Sequence, residues 1–220
     1  MISVAELFHN LRERDLRKEG ICIGEGPFVV ERMVRSGWNV KAVLCSEGMV
    51  DRALKITAGG VPLETLLPAQ MRKITGFDFH RGMLAAAVRP AIPSAAEFLN
   101  YAAGRPGLLV LLSGVSDSEN VGSIIRSAEA FGAAGMLIDE RSADPYSRRA
   151  IRVSMGGVFS LPLARIGYES ECKEALEAAG YTLVGTVADS SVDDLNGYEW
   201  PERPALVFGA EGPGLSATWL

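Results

Sequence analysis

Residues 108–138 constrain the fold more than any other stretch of the chain. The run 108–112 (L-L-V-L-L) is short, wholly apolar and bounded by polar residues, which suits a buried strand. A polar loop follows over 113–119, and then Val121, Ile124, Ile125, Ala128 and Phe131 fall on one face of a helix. Gly132 is a natural stop for that helix. Residues 135–138 read as a second buried strand, so the whole is a strand, a crossover helix and a parallel strand.

Arg126 lies roughly opposite the apolar stripe, where an arginine is ordinarily a solvated surface residue. A second role is open to it. A helical side chain leans back over the preceding turn, and there Gly122 leaves room for the guanidinium to reach the helix start. Unpaired backbone N–H groups and a partial positive charge gather at that start, so an added arginine makes an anion site. Such a site would sit at the C-terminal end of a parallel strand, where open α/β sheets bind ligands.

Composition narrows the class. The 220 residues are 48% apolar, enough for one large or two small packed domains. No apolar run approaches the roughly 20 residues of a membrane span, and the N-terminus lacks the basic-then-apolar order of a signal peptide, so a soluble, cytoplasmic protein is expected. Cys22, Cys45 and Cys172 are far apart and form no C-x-x-C pair, and His9 and His80 add no metal-ligand spacing, so reduced thiols and no metal site are expected. The net charge of −5 is uneven: residues 1–93 hold 13 of the 22 Lys+Arg and 10 of the 27 Asp+Glu, leaving 9 against 17 for residues 94–220. A mildly basic front half suits contact with RNA, and ordinary surface variation accounts for it equally well.

Taken in order, residues 1–18 read as one amphipathic helix with Val4, Leu7, Phe8 and Leu11 inward and Arg12, Arg14, Arg17 and Lys18 outward, as a basic RNA-facing edge or a solvated face. A strand over 21–23, a helix over 28–36 and a strand over 40–45 follow. Gly24 and Gly26 after the first strand invite a dinucleotide-binding reading, but Val29 stands where the third glycine of that fingerprint belongs. Residues 89–93 (R-P-A-I-P) suit a linker and place a domain boundary near Pro93. Ser94 and Glu97 form a capping-box pattern that opens a helix through 103.

Beyond the central stretch, 144–147 (D-P-Y-S) reads as a turn opening a short helix with Arg148, Arg149 and Arg152. Arg148 and Arg152, one turn apart, would grip phosphates or form a salt-bridged face beside Asp144. Strands over 161–166, 181–187 and 205–208 flank a helix over 170–179 and a polar loop over 189–201. This alternation predicts an α/β fold with a mainly parallel sheet. The last strand runs into G-A-E-G-P-G-L, where glycines let backbone approach a ligand closely or simply make a tight turn. No lysine follows, which excludes a Walker-type phosphate loop.

Three blocks carry a resemblance: G-V-S-D-S-E-N-V-G-S-I-I-R-S-A; R-S-A-D-P-Y-S-R-R-A followed by S-M-G-G-V-F-S-L-P-L; and F-G-A-E-G-P-G-L-S. In order and spacing they resemble the SpoU family of RNA ribose 2′-O-methyltransferases, of the knotted SPOUT class. The resemblance covers nearly the whole chain. It implies a small, ribosomal-protein-like α/β substrate domain over 1–93, carrying E-G-P-F-V-V-E-R-M and H-R-G-M-L-A-A-A, and a parallel-sheet methyltransferase domain over 94–220. It further implies S-adenosylmethionine as methyl donor, tRNA or rRNA as substrate, and a homodimer. Arg126 would engage the target ribose and its phosphate, Asn120 would orient that arginine or the RNA, and Glu211 would hold the two motif loops in place. Gly209, Glu211, Gly212 and Thr186 would line the donor pocket, while Arg81, with His80 beside it at the start of a strand, would touch RNA, as would Arg148 and Arg152 if their spacing makes a phosphate patch and not a salt-bridged face. Ala210 stands where many members carry asparagine, a mild change that keeps the loop small. The family's third motif, which completes the donor pocket and much of the dimer interface, would follow Leu220, so the domain is expected to be C-terminally incomplete. A non-catalytic RNA-binding protein that keeps the fold but has lost the donor site is the alternative.

Overall fold

The computed structural model describes residues 4–9, 11–76, 81–101, 107–189, 192 and 195–220, without the side chains of Tyr101 and Leu195. His80 and the expected end of the helix at 103 lie outside the described residues. In chain order the elements are α1 (Glu13–Lys18), β1 (Ile21–Glu25), α2 (Pro27–Arg35), β2 (Val40–Ser46), α3 (Val50–Thr57), β3 (Leu63–Leu66), α4 (Pro68–Thr75), β4 (Met83–Val88), α5 (Ala95–Tyr101), β5 (Leu109–Leu112), α6 (Ser118–Ala130), β6 (Gly135–Ile138), α7 (Arg148–Val153), β7 (Leu163–Arg165), α8 (Glu169–Ala178), β8 (Thr182–Gly185) and β9 (Pro204–Phe208).

The chain divides into two compact units: Met1–Pro90 with Pro145–Ser160, and Ala91–Asp144 with Leu161–Leu220. The boundary expected near Pro93 falls at Pro90, and 145–160, expected in the second domain, belongs to the first unit. The reason is apolar: Trp38 meets Tyr146 edge-on at 5.2 Å and Phe159 at 5.0 Å, so this segment supplies rings to the first unit's core.

The first unit is built on a four-stranded sheet of order β1-β4-β2-β3, antiparallel except for the β2–β3 pair. The single helix expected over 1–18 is instead a 3-10 turn at Ala5–Phe8 and then α1, with His9 and Arg12 extended between them. Leu16 trails Leu11 by roughly 140° on a continuous helix and could not share its inward face. The break lets Phe8, Leu11 and Leu16 all enter one cluster with Ile23, Leu44 and Leu84. Arg12, Arg14, Arg17 and Lys18 are exposed, as their pattern predicts.

The second unit is a five-stranded parallel sheet of order β7-β6-β5-β9-β8. The expected strands at 108–112, 135–138 and 205–208 shift by a residue at most. Leu109, Leu111, Leu137, Ala164 and Val207 bury one face of the sheet against Phe98, Leu176 and Trp219. The capping box forms at α5: Glu97 accepts from the Ser94 backbone N–H at 2.8 Å, and Ser94 Oγ accepts from the Glu97 N–H at 3.3 Å. The chain leaves β5 towards β6 and returns at β9 on the other side of β5, so the order reverses there. That reversal is where open parallel sheets gather their ligand-binding loops.

Candidate active site

The loops that leave β5 and β9 begin side by side, the Ser113 N–H donating to the carbonyl of Phe208 at 2.9 Å. The β5 loop is then pinned by the turn after β6. Asp139 accepts from the Gly114 N–H at 3.0 Å, and Ser142 Oγ accepts from the Val115 N–H at 3.0 Å. Burial pushes the Asp139 carboxyl up, but hydrogen bonds from Ser142, Gly114 and Arg141 outweigh it and hold the group below the usual carboxylate range. Asp117 ends the loop as the N-cap of α6, accepting from the Glu119 N–H at 2.7 Å.

The β9 loop folds back on itself. Ala210 and Gly214 exchange backbone hydrogen bonds of 3.1 and 2.9 Å, with Gly212 at φ +93° and Gly214 at φ +72°. A Cβ on Gly209 would stand 2.4 Å from the Gly214 carbonyl carbon and 2.6 Å from the Leu215 nitrogen, a backbone clash nothing can relieve. Glycine at 209 is therefore a condition of the turn. At its tip the N–H groups of Glu211 and Gly212 have no hydrogen-bond partner among the described residues. The two loops abut where a Cβ on Gly114 would come within 3.2 Å of the Ala210 Cβ, so a small residue at 210 suits this contact.

Between them is a cleft of about 210 Å³ lined by Asp117, Asn120, Ser123, Phe208, Gly209 and Glu211, among others. Asn120 and Glu211 are exposed and neither side chain has a partner among the described residues. Arg126 is exposed on α6 and likewise unpartnered, but it does not line this cleft. It lies six positions beyond Asn120, roughly 120° around the helix. The expectation that Asn120 orients Arg126 is not met in this arrangement. Nor does Glu211 tie the loops together.

The remaining candidates are dispersed. Thr186 donates through Oγ1 to the Val207 carbonyl at 2.9 Å and lines a separate, larger groove of about 1070 Å³ along β8. Arg148 is engaged inside the first unit. Its Nε donates to Glu25 Oε1 at 2.8 Å, its Nη2 to the same oxygen, its Nη1 to the Leu11 carbonyl at 3.0 Å, and its backbone N–H to Glu13 at 3.1 Å. Glu25 is 6% exposed, so a guanidinium expected to face RNA is instead the counter-charge of a buried carboxylate. Arg152 is half-buried and Arg81 exposed, and neither has a partner among the described residues. The Arg81 Cδ lies 3.5 Å from where a Cβ on Gly26 would be, over the start of α2.

One polar cluster beneath the loops went unread in the sequence. Glu169, the first residue of α8, accepts from Ser113 Oγ at 2.9 Å, from Ser216 Oγ at 2.5 Å and from Arg141. Arg141 Nε also donates to Asp139 at 2.9 Å, and the indole of Trp219 donates to Ser113 Oγ at 3.1 Å. Burial raises the Glu169 carboxyl, but the bonds from Ser216 and Ser113 and the Arg141 charge hold it below its ordinary value. These residues come from four separate segments, and no local spacing announces them.

The model of the SpoU rRNA methylase family matches residues 107–220. An uncharacterised tRNA/rRNA methyltransferase of Mycobacterium tuberculosis is 33% identical over 222 residues, which span 97% of this chain and 76% of that protein. Among solved structures, the SpoU methyltransferase AviRb of Streptomyces viridochromogenes in complex with S-adenosylmethionine aligns with a TM-score of 0.76 at 26% identity, covering 98% of this chain and 82% of its own. An RNA 2′-O ribose methyltransferase aligns with a TM-score of 0.74 at 25% identity, covering 98% and 80%.

Proposed function

The chain belongs to the SpoU rRNA methylase family, and we propose that it transfers a methyl group from S-adenosylmethionine to a ribose 2′-hydroxyl of tRNA or rRNA. One observation carries the reading: two polar side chains, Asn120 and Glu211, line the cleft where the strand order reverses and have no partner among the described residues. Polar groups at such a place are available to a ligand.

The cleft of about 210 Å³ is smaller than the roughly 300 Å³ at which sites begin to enclose a drug-sized ligand. It suits a ribose better than a whole nucleoside. Asn120 and Glu211 hold the sugar there, and Glu211 accepts the hydrogen bond of the hydroxyl that must lose its proton. Arg126, on the open face of α6, fixes the neighbouring phosphate with a planar guanidinium fork. Positioning of this kind supplies much of what a poor nucleophile needs.

The β9 loop fits the donor. Two unpaired N–H groups at Glu211 and Gly212 match its carboxylate, Gly209 keeps the turn closed, and Thr186 lies at the end of the adjoining strand. When bound, the donor would supply an electrophilic methyl group on a sulfonium, its C–S bonding pair staying with sulfur as the ribose oxygen takes the methyl carbon and the hydroxyl proton passes to Glu211. Arg81 and Arg152, without partners among the described residues, provide further phosphate contacts. The reading includes a cytoplasmic homodimer; among the described residues no helix is long and apolar enough to cross a membrane, and Val187, Val192 and Leu220 expose apolar surface along the β8 groove.

The test is incubation of the protein with methyl-labelled S-adenosylmethionine and bulk tRNA or rRNA, followed by digestion to nucleosides. Label in 2′-O-methylnucleosides is expected. Label on a base would overturn the ribose assignment, and RNA binding without transfer would favour a non-catalytic RNA-binding role.

A further inference from the structure

The carboxylate of Glu169 faces two loops at once. Its Oε1 takes Ser113, the first residue of the β5 loop, at 2.9 Å, and its Oε2 takes Ser216, two residues past the β9 turn, at 2.5 Å. Trp219 closes the ring from the second segment back to Ser113 at 3.1 Å. Arg141 then joins Glu169 to Asp139, which holds Gly114, the next residue of the β5 loop.

We propose that Glu169 is a positioning residue that couples the loop over 113–117, which carries the ribose-facing side of the site, to the donor loop over 209–214, so that both are ordered together. This rests on the methyltransferase reading. Three features separate Glu169 from an ordinary helix-start acid. Among the described residues its carboxylate accepts from Ser113, Ser216 and Arg141, all outside α8. Each of its oxygens serves a different loop. And the carboxylate is itself largely shielded, 20% exposed, while the Arg141 that offsets its charge stands 64% exposed at the rim. What such a cluster supplies and apolar packing cannot is direction: each loop is fixed by a hydrogen bond to one rigid carboxylate. Ser113 is also the residue whose backbone meets Phe208, so a shift at Glu169 reaches both strand ends.

The experiment compares the wild-type chain with Glu169→Ala, Glu169→Gln and Ser216→Ala. Steady-state methyl transfer gives KM for each substrate and kcat, and hydrogen exchange of backbone amides gives loop order without requiring turnover. Glu169→Ala should raise KM for S-adenosylmethionine about tenfold and lower kcat by a similar factor, the scale of one charged hydrogen bond. Ser216→Ala should raise KM for the donor and leave KM for RNA alone. Glu169→Gln, which keeps an acceptor and can donate to Ser216, should recover part of the loss. In Glu169→Ala, exchange should quicken in 113–117 and 209–216 together. A lowered melting temperature with both KM values and kcat unchanged would reduce Glu169 to a local staple, and quickened exchange in one loop only would break the coupling. Absence of methyl transfer even in a chain extended by the family's third motif would defeat the methyltransferase reading itself, and the exchange arm would still decide whether Glu169 couples the loops.

Discussion

Helices α6 and α7 each carry an arginine that the sequence offers as a phosphate ligand, and the structure treats the two in opposite ways. Arg126 on α6 stands exposed and without a partner among the described residues, while the α6 core face, Val121, Ile125 and Ala128, is buried without its help. Arg148 on α7 is committed to Glu25, to the Leu11 carbonyl and to Glu13. One guanidinium is left for a ligand, and the other holds its own helix in the first unit. Helical spacing says which way a side chain points. It does not say whether a buried carboxylate distant in sequence is waiting for it.

Mutation should separate the two sharply. Arg126→Ala should lower kcat/KM for methyl transfer by about three orders of magnitude or more, as expected when an interaction made mainly in the transition state is removed, while the melting temperature stays within about a degree. Arg126→Lys should recover little, since a point charge does not reproduce a planar fork. Near-normal turnover in the alanine variant would remove Arg126 from the site.

Arg148→Ala should do the reverse. Leaving Glu25 buried and uncompensated should cost roughly 3 kcal/mol of stability, measured by denaturant unfolding, with kcat per folded molecule retained. Glu25→Gln should cost less, because the amide keeps an acceptor for Arg148 and carries no charge. Equal losses of activity and unchanged stability in both variants would erase the contrast between the helices.

Much of this was open to sequence reasoning, for physical reasons that differ by place. The strands β5 and β6 are four-residue apolar runs buried on both faces, and such strands announce themselves. Helix α6 is legible because its stripe and its glycine stop agree, but Phe131, expected on the inward face, sits at the C-cap and is 86% exposed. The first unit hides more. A 3-10 turn and a short helix share one apolar pattern over 1–18, and only the need to bury Leu16 beside Leu11 breaks it. Segment 145–160 carries no mark that its rings belong with Trp38. In the site, Gly209, Asn120 and Glu211 were legible as motif residues. The tethering expected of Glu211 falls to Glu169, whose partners at 113, 141 and 216 meet only in the folded sheet.

The second unit's polar cluster should also give it a pH dependence. Asp139 and Glu169 both titrate below their ordinary values when folded. A depressed carboxyl contributes stability above its unfolded pKa and loses it as pH falls through the folded one, so the loss should set in below about pH 4 to 4.5. Thermal unfolding followed from pH 6 to pH 3 should show a steep acid branch that flattens in Asp139→Asn. An unchanged acid branch in that variant would mean the carboxylate carries no linkage.

The smallest effects should come from the arginines that stand between the two extremes. Arg81 and Arg152 have no partner among the described residues and belong to the first unit, not to the one that carries the cleft and Arg126, so each would hold one phosphate and perform no chemistry. Replacing either with alanine should weaken RNA binding only a few-fold and leave kcat intact at saturating RNA. The informative quantity is the salt dependence. Each phosphate neutralised by an arginine releases condensed counterions, so the slope of log affinity against log salt should shrink by roughly 0.7 to 0.9 for each such arginine replaced, as on single- or double-stranded nucleic acid. Arg148→Ala, measured on folded protein, should leave that slope where it was, because its charge is already neutralised by Glu25. If the Arg148 variant shows a smaller slope and the Arg81 and Arg152 variants keep theirs, the buried pair opens to RNA in solution and the division between spent and available arginines fails.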